Sequence, residues 1–152
     1  MSVRPVAASL AAAVVLASCS FYMGEPRVER TDLRAALSAS ATVPPGASGA
    51  TGYLEGVYRP STQVFEYRLN LVGLSGPVSG GALHGPAAPG ETAPAVSPIN
   101  IPIYDYTIRD GVTLTRQQAA ELLAGRWYVS VSTLQHPGGE IRGQLLPVAT
   151  KP

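Results

Sequence analysis

Between residues 63 and 72 the chain alternates strictly. Phe65, Tyr67, Leu69 and Leu71 fall on one side, and Glu66, Arg68 and Asn70 on the other. A period of two over this length predicts an antiparallel strand with one buried and one wet face. A shorter version occurs earlier, where Leu37, Ala39 and Ala41 alternate with Ser38, Ser40 and Thr42 until Pro44 and Pro45 stop the strand. Residues 52–59 read as a second strand closed by the turn Pro60-Ser61-Thr62, and Ala82-Leu83-His84 as a short central one. Residues 85–98 form a polar, proline-rich loop of a length usually reserved for functional or mobile segments. Ile99, Ile101 and Ile103 then share a face, with Pro102 marking an edge strand or bulge. Tyr104 and Tyr106 fall opposite those isoleucines, placed either to pack under a helix or to join Trp127 or Tyr128 in an exposed aromatic patch.

From Gly111 to Leu146 the period changes and changes back. Thr115 and Gln118 have the spacing of a reciprocal helix cap, and Ala119, Ala120, Leu122 and Leu123 follow at helical intervals. Gly125 stands where a helix end favours a positive φ. Residues 127–134 and 140–146 then carry strand character, joined by the hairpin loop Gln135-His136-Pro137-Gly138-Gly139. The sum is about seven short strands and one short helix, the pattern of an antiparallel β-sandwich or Greek-key barrel.

Composition supports that class. Charged residues are 14% of the chain, against about a quarter in ordinary soluble domains, while glycines number 16 and prolines 14. The net charge is +1 and no arginine stripe is interleaved with aromatics, which argues against nucleic-acid binding.

The first 18 residues have the layout of an export signal, with Arg4 ahead of the apolar run 6–16, which is too short to span a bilayer. The run ends in Leu16-Ala17-Ser18-Cys19, which resembles a bacterial lipobox and marks Cys19 for diacylglycerol and palmitate attachment. Cys19 is the only cysteine, so no disulfide can form within the chain. Two acyl chains give stable anchoring where one is marginal. Ser20 in place of Asp is similar to lipoproteins sorted to the outer membrane, which implies a bacterial cell-envelope location facing the periplasm or the cell surface. Residues 19–34 read as the lipidated cysteine and a charged tether, 35–148 as the domain, and 149–152 as a tail.

Several segments together resemble the CHRD domain, a repeat first recognised in chordin and also found singly in bacterial proteins. They are the closing YVSVSTLQHPGGEIRGQL, the helix LTRQQAAELLAG, the opening LSASATVPP and the central Leu83-His84-Gly85-Pro86-Ala87. The resemblance runs from about residue 35 to 148. It implies an immunoglobulin-like or superoxide-dismutase-like β fold in which Gly139, Glu140, Arg142 and Gly143 are structural motif residues. In the CHRD pattern the central strand often reads His-x-His and the penultimate strand often carries a further His. Here those positions are Ala82 and Ser132, leaving His84, with His136 in the hairpin loop.

Two imidazoles are too few for a good divalent site unless Asp105, Glu91 or Glu140 joins them. No Gly-x-Ser-x-Gly elbow or phosphate loop is present. Glu140 and Arg142, two apart on a strand, read as cross-strand ion pairing or edge solubility rather than acid/base machinery. The sequence thus points to a non-catalytic, cofactor-free module held to the membrane by lipid, meeting an envelope protein partner or serving a structural role there. Loop 85–98, His84, Tyr104 and Tyr106 are the candidate contact region. The alternative is a copper or zinc redox or storage module centred on His84.

Overall fold

The computed structural model describes residues 29–102 and 107–149. Strand β3 (Val64–Val72) buries Phe65, Tyr67, Leu69 and Leu71 and leaves Glu66 and Arg68 exposed, as its alternation predicts. It pairs along its whole length with β2 (Thr51–Arg59) on one side and from Val64 to Asn70 with β6 (Thr107–Thr113) on the other. Strand β1 (Thr31–Ser38) lies beyond β2, and β8 (Ile141–Pro147) beyond β1. The sheet is completed by β7 (Trp127–Thr133), β4 (Val78–His84) and the short β5 (Ala95–Pro98). The spatial order is β5-β4-β7-β8-β1-β2-β3-β6, with every pair antiparallel. The chain crosses between the two halves of this sheet after β3, after β5 and after β6, a Greek-key habit.

The sheet curls around one core, to which Leu33, Leu54, Phe65, Leu83, Trp127 and Ile141 contribute fully buried side chains. Burying an aromatic or leucine of this kind is worth about 1.5–3 kcal/mol each. β5 and β6 remain as the two edges of a nearly closed barrel. One end is plugged by α1 (Arg116–Leu123), which sends Ala119 and Leu122 into the core. The reciprocal cap forms as its spacing predicts: the Gln118 N–H donates to Thr115 Oγ1 at 3.2 Å, and the Thr115 N–H to Gln118 Oε1 at 2.9 Å. Gly125 ends the helix at φ +70°.

Four boundaries differ from the expectation. β1 starts at Thr31, so Asp32 and Arg34 belong to the sheet rather than to a tether. Their alternation with buried Leu33 and Ala35 continues the strand period toward the N-terminus, and Arg34 pairs with Glu55 on the neighbouring strand at 3.7 Å. At its other end the strand stops at Ser38, where Ala39–Ala41 form a 3-10 turn instead of continuing the alternation. Strand β6 has no period of its own, because Arg109, Asp110 and Gly111 interrupt it; pairing to β3 makes it a strand. The isoleucine segment 99–102 is not a strand, although Ile99 is buried and its N–H donates to Gly81 O at 2.8 Å; the strand before it, β5, falls inside the predicted loop. Ile103, Tyr104 and Tyr106 lie outside the described residues, as do Cys19 and the rest of the leader.

The β1–β8 seam joins the two halves of the barrel and is very tight. A Cβ at Gly143 would sit 2.5 Å from Ala36 O and 2.9 Å from Ala36 C, both backbone atoms of β1. The Gly143→Ala variant is therefore expected to lose about 1–3 kcal/mol of stability through overpacking. Urea unfolding checks this: the midpoint falls while the slope with denaturant is kept, and an unchanged midpoint contradicts the seam geometry.

Candidate functional site

On the outer face of the sheet, β4, β7 and β8 present His84, Tyr128, Ser130, Arg142 and Gln144 from adjacent strands. Register sets the neighbours: His84 lies opposite Tyr128, Tyr128 opposite Gln144, and Ser130 opposite Arg142. The His84 ring stacks on Tyr128 at 4.7 Å between centroids with the planes parallel within 1°, while the Arg142 guanidinium lies 3.6 Å from the Tyr128 centroid. Both cannot occupy one face of the ring at those distances, so Tyr128 is sandwiched between imidazole and guanidinium.

Two segments cover this layer. Loop 85–94 is pinned at Ala93, whose carbonyl accepts from His84 Nδ1 at 3.0 Å and from the Tyr128 hydroxyl at 3.2 Å, while its N–H donates to that hydroxyl at 3.1 Å. It is pinned again at Ala87, through its N–H to Arg126 O at 2.8 Å and its carbonyl to Gln144 Nε2 at 2.9 Å. Its tip, Pro89-Gly90, is closed by Glu91, whose carboxylate takes the Ala88 N–H at 3.0 Å. From the other side comes the turn after β1, knitted by Thr42, whose Oγ1 lies 2.7 Å from Ala39 O and accepts from the Gly46 N–H at 2.9 Å. Between loop tip and turn is a cavity of about 410 Å³, walled by Val43, Pro45 and Pro89 and floored by Arg142 and Gln144.

Arg142 is only 4% exposed, yet no hydrogen bond reaches its Nη2, and among the described residues no carboxylate comes within ion-pair distance of it. Gln144 spends both amide hydrogens on Ala87 O and Gly125 O, at 2.9 and 2.8 Å, and its Oε1 is buried without a donor. Native proteins rarely leave buried polar groups unsatisfied. A second concavity, of about 790 Å³ over β1, β2, β3 and β6, is different in kind. Its charges are largely solvated, Arg34 is paired with Glu55, and Tyr67 donates to Asp110 Oδ2 at 3.4 Å. Burial, with the Asp110 charge and that hydrogen bond, pushes the Tyr67 hydroxyl far above the ordinary phenol range.

The expected cross-strand ion pairing or edge exposure of Glu140 and Arg142 is not found: both are buried, and among the described residues neither forms an ion pair. Glu140 precedes β8 and is 1% exposed at the barrel end opposite α1. It accepts from Ser48 Oγ at 2.6 Å, Thr133 Oγ1 at 2.7 Å and the Ser75 N–H at 2.9 Å, tying two loops to the end of β7. Burial alone would raise its pKa; the hydrogen bonds from Ser48, Thr133 and Ser75 outweigh it and hold the carboxyl below its usual value. The other motif glycine, Gly139, takes φ +117° in the hairpin.

The histidines are not brought together: His84 lies opposite the start of β7, and His136 follows its end. A carbonyl can only accept, so His84 Nδ1 bears a proton, and its Nε2 lies 2.9 Å from the Ser130 hydroxyl. Ala82 and Ser132 do lie on the same face of adjacent strands as His84, where the His-x-His pattern would place imidazoles. Among the described residues no group of three or more His, Cys, Asp or Glu side chains is placed to hold a metal ion. Tyr128, Arg142 and Gln144 were not combined from sequence. Their signal is the hairpin register, which puts Ser130 opposite Arg142 once the loop length is fixed.

The Glu140→Gln variant is expected to cost about 1.5–3 kcal/mol at neutral pH, because it removes a charged acceptor of several hydrogen bonds. The folded pKa is depressed, so this stabilisation is complete above the unfolded carboxyl value of about 4.3 and disappears as pH falls through the folded value. Urea midpoints measured against pH should show the two proteins converging in acid; a constant gap contradicts the ionised assignment.

Searches among curated proteins and among solved structures find no match. The CHRD domain matches residues 33–145, from the first buried leucine of β1 to the last of β8. That span takes in the barrel, the helix and the Arg142 layer, and the chain belongs to the CHRD domain family.

Proposed function

We propose that this protein is a non-catalytic binding module, anchored by lipid at Cys19 to the bacterial cell envelope and displayed outside the cytoplasm, with its recognition site in the cavity over Arg142. The observation that carries this reading is Arg142 at the floor of that cavity, a buried cation whose Nη2 has no hydrogen-bond partner and which no carboxylate among the described residues neutralises. A cation removed from water without a counter-ion costs several kcal/mol, and a bound anionic partner is the group that would repay it. The rest of the layer is suited to holding shape rather than to turning over a substrate. His84 is engaged at both ring nitrogens, and Tyr128 is fixed to Ala93 by its hydroxyl. The anchor rests on the Leu16–Cys19 motif.

Two measurements test the two parts. Metabolic labelling with a radioactive fatty acid should mark the wild type and leave the Cys19→Ala variant unlabelled; equal labelling, or none in either, refutes the anchor. Crosslinked capture from envelope extracts should recover a defined partner with the wild type and lose it with Arg142→Met. Capture indifferent to Arg142 refutes this cavity as the site.

A further inference from the structure

We infer that the ligand of the Arg142 cavity is a carboxylate with an N–H donor beside it, as on the C-terminal residue of a peptide or on a free N-acylated amino acid. This deepens the binding-module reading and rests on it. The two unsatisfied groups define the chemistry between them. Arg142 Nη2 lacks an acceptor and Gln144 Oε1 lacks a donor. The two residues alternate on β8 and so lie on one face of the strand, about 6.6–6.8 Å apart at Cα, and both line the same cavity. The Gln144 amide cannot simply be turned over to cure its own deficit. Both of its hydrogens are already spent, on Ala87 O and Gly125 O, and a flip would set its oxygen against two carbonyls.

Charge decides between anions. The floor supplies one guanidinium, which matches a carboxylate in both charge and planar fork geometry. Among the described residues no second cation lines the cavity, so a phosphate dianion would stay undercompensated. The nearest carboxylate in the covering loop, Glu91, is turned to the Ala88 N–H, stiffening the tip rather than filling the site. The walls set the body of the ligand. Val43, which is 42% exposed, Pro45 and Pro89 offer an apolar rim for a small aliphatic side chain. The volume, about 410 Å³, falls within the range of small-ligand pockets, roughly 300–1,000 Å³.

The test is calorimetric titration of the full chain in detergent with N-acetyl-alanine, N-acetyl-alanyl-alanine and the C-terminal amide of the latter. The acids should bind, and the amide should bind weaker by about tenfold or more, since it cannot make the charged pair. Arg142→Lys, which keeps the charge but loses the fork, and Arg142→Met should both lose the acid while retaining the wild-type circular-dichroism spectrum. If the dipeptide acid binds much better than N-acetyl-alanine, the natural source is a chain end; equal binding indicates a free N-acyl amino acid. Acid and amide binding alike, or no binding by either acid, overturns the inference. Capture of an envelope partner that depends on Arg142 yet is untouched by competing acid would also overturn it, while leaving the binding-module reading intact.

Discussion

The seam between β1 and β8 is the constraint on which the rest of this molecule depends. It joins the first strand to the last, across more than a hundred residues of sequence, and links the two half-sheets β1-β2-β3-β6 and β8-β7-β4-β5 into one barrel. Closing it requires Gly143, because the Ala36 carbonyl occupies the space where a side chain would begin. The same seam sets Arg142 opposite Ser38, at the point where β1 gives way to the turn through Thr42. That turn and the tip of loop 85–94 close over Arg142, so the guanidinium is largely desolvated by the architecture and has no counter-ion among the described residues.

Polar chemistry is therefore divided between two places with opposite logic. At the barrel end, Glu140 is buried with its oxygens supplied by Ser48, Ser75 and Thr133, and this satisfied carboxylate fastens the loops before β2 and β4 to the end of β7. On the outer face, Arg142 is buried with its demand unmet. A satisfied buried charge fixes structure, whereas an unsatisfied one stores a deficit that a ligand can relieve. The His84–Tyr128 stack serves the second place by holding one wall in position: both rings bond to Ala93, and the Tyr128 face supports the guanidinium.

Where local physics suffices, the sequence can be read directly. The cap of α1 is a reciprocal pair of hydrogen bonds three residues apart, and β3 declares itself by period alone. What depends on pairing is hidden. β6 carries Arg109, Asp110 and Gly111 in its middle and is a strand only because β3 offers an unfilled edge. The charges of Asp32 and Arg34 suggest a solvated tether until β2 supplies Glu55 across from Arg34. Glu140 and Arg142 look like a same-face pair in sequence, but the first precedes the strand and turns to the barrel end. The absent histidines at Ala82 and Ser132 were legible; that their positions converge with His84 needed the register of β4 on β7.

The central claim is that Arg142 is buried without a counter-ion among the described residues. The unfolding free energy of the Arg142→Met variant beside that of the wild type tests it most directly, because methionine keeps the volume and removes the charge. The account predicts a variant within about 1 kcal/mol of the wild type or more stable than it. A loss of about 3–5 kcal/mol, the usual cost of breaking a buried ion pair, would show that a protein group already satisfies Arg142 and would contradict the account.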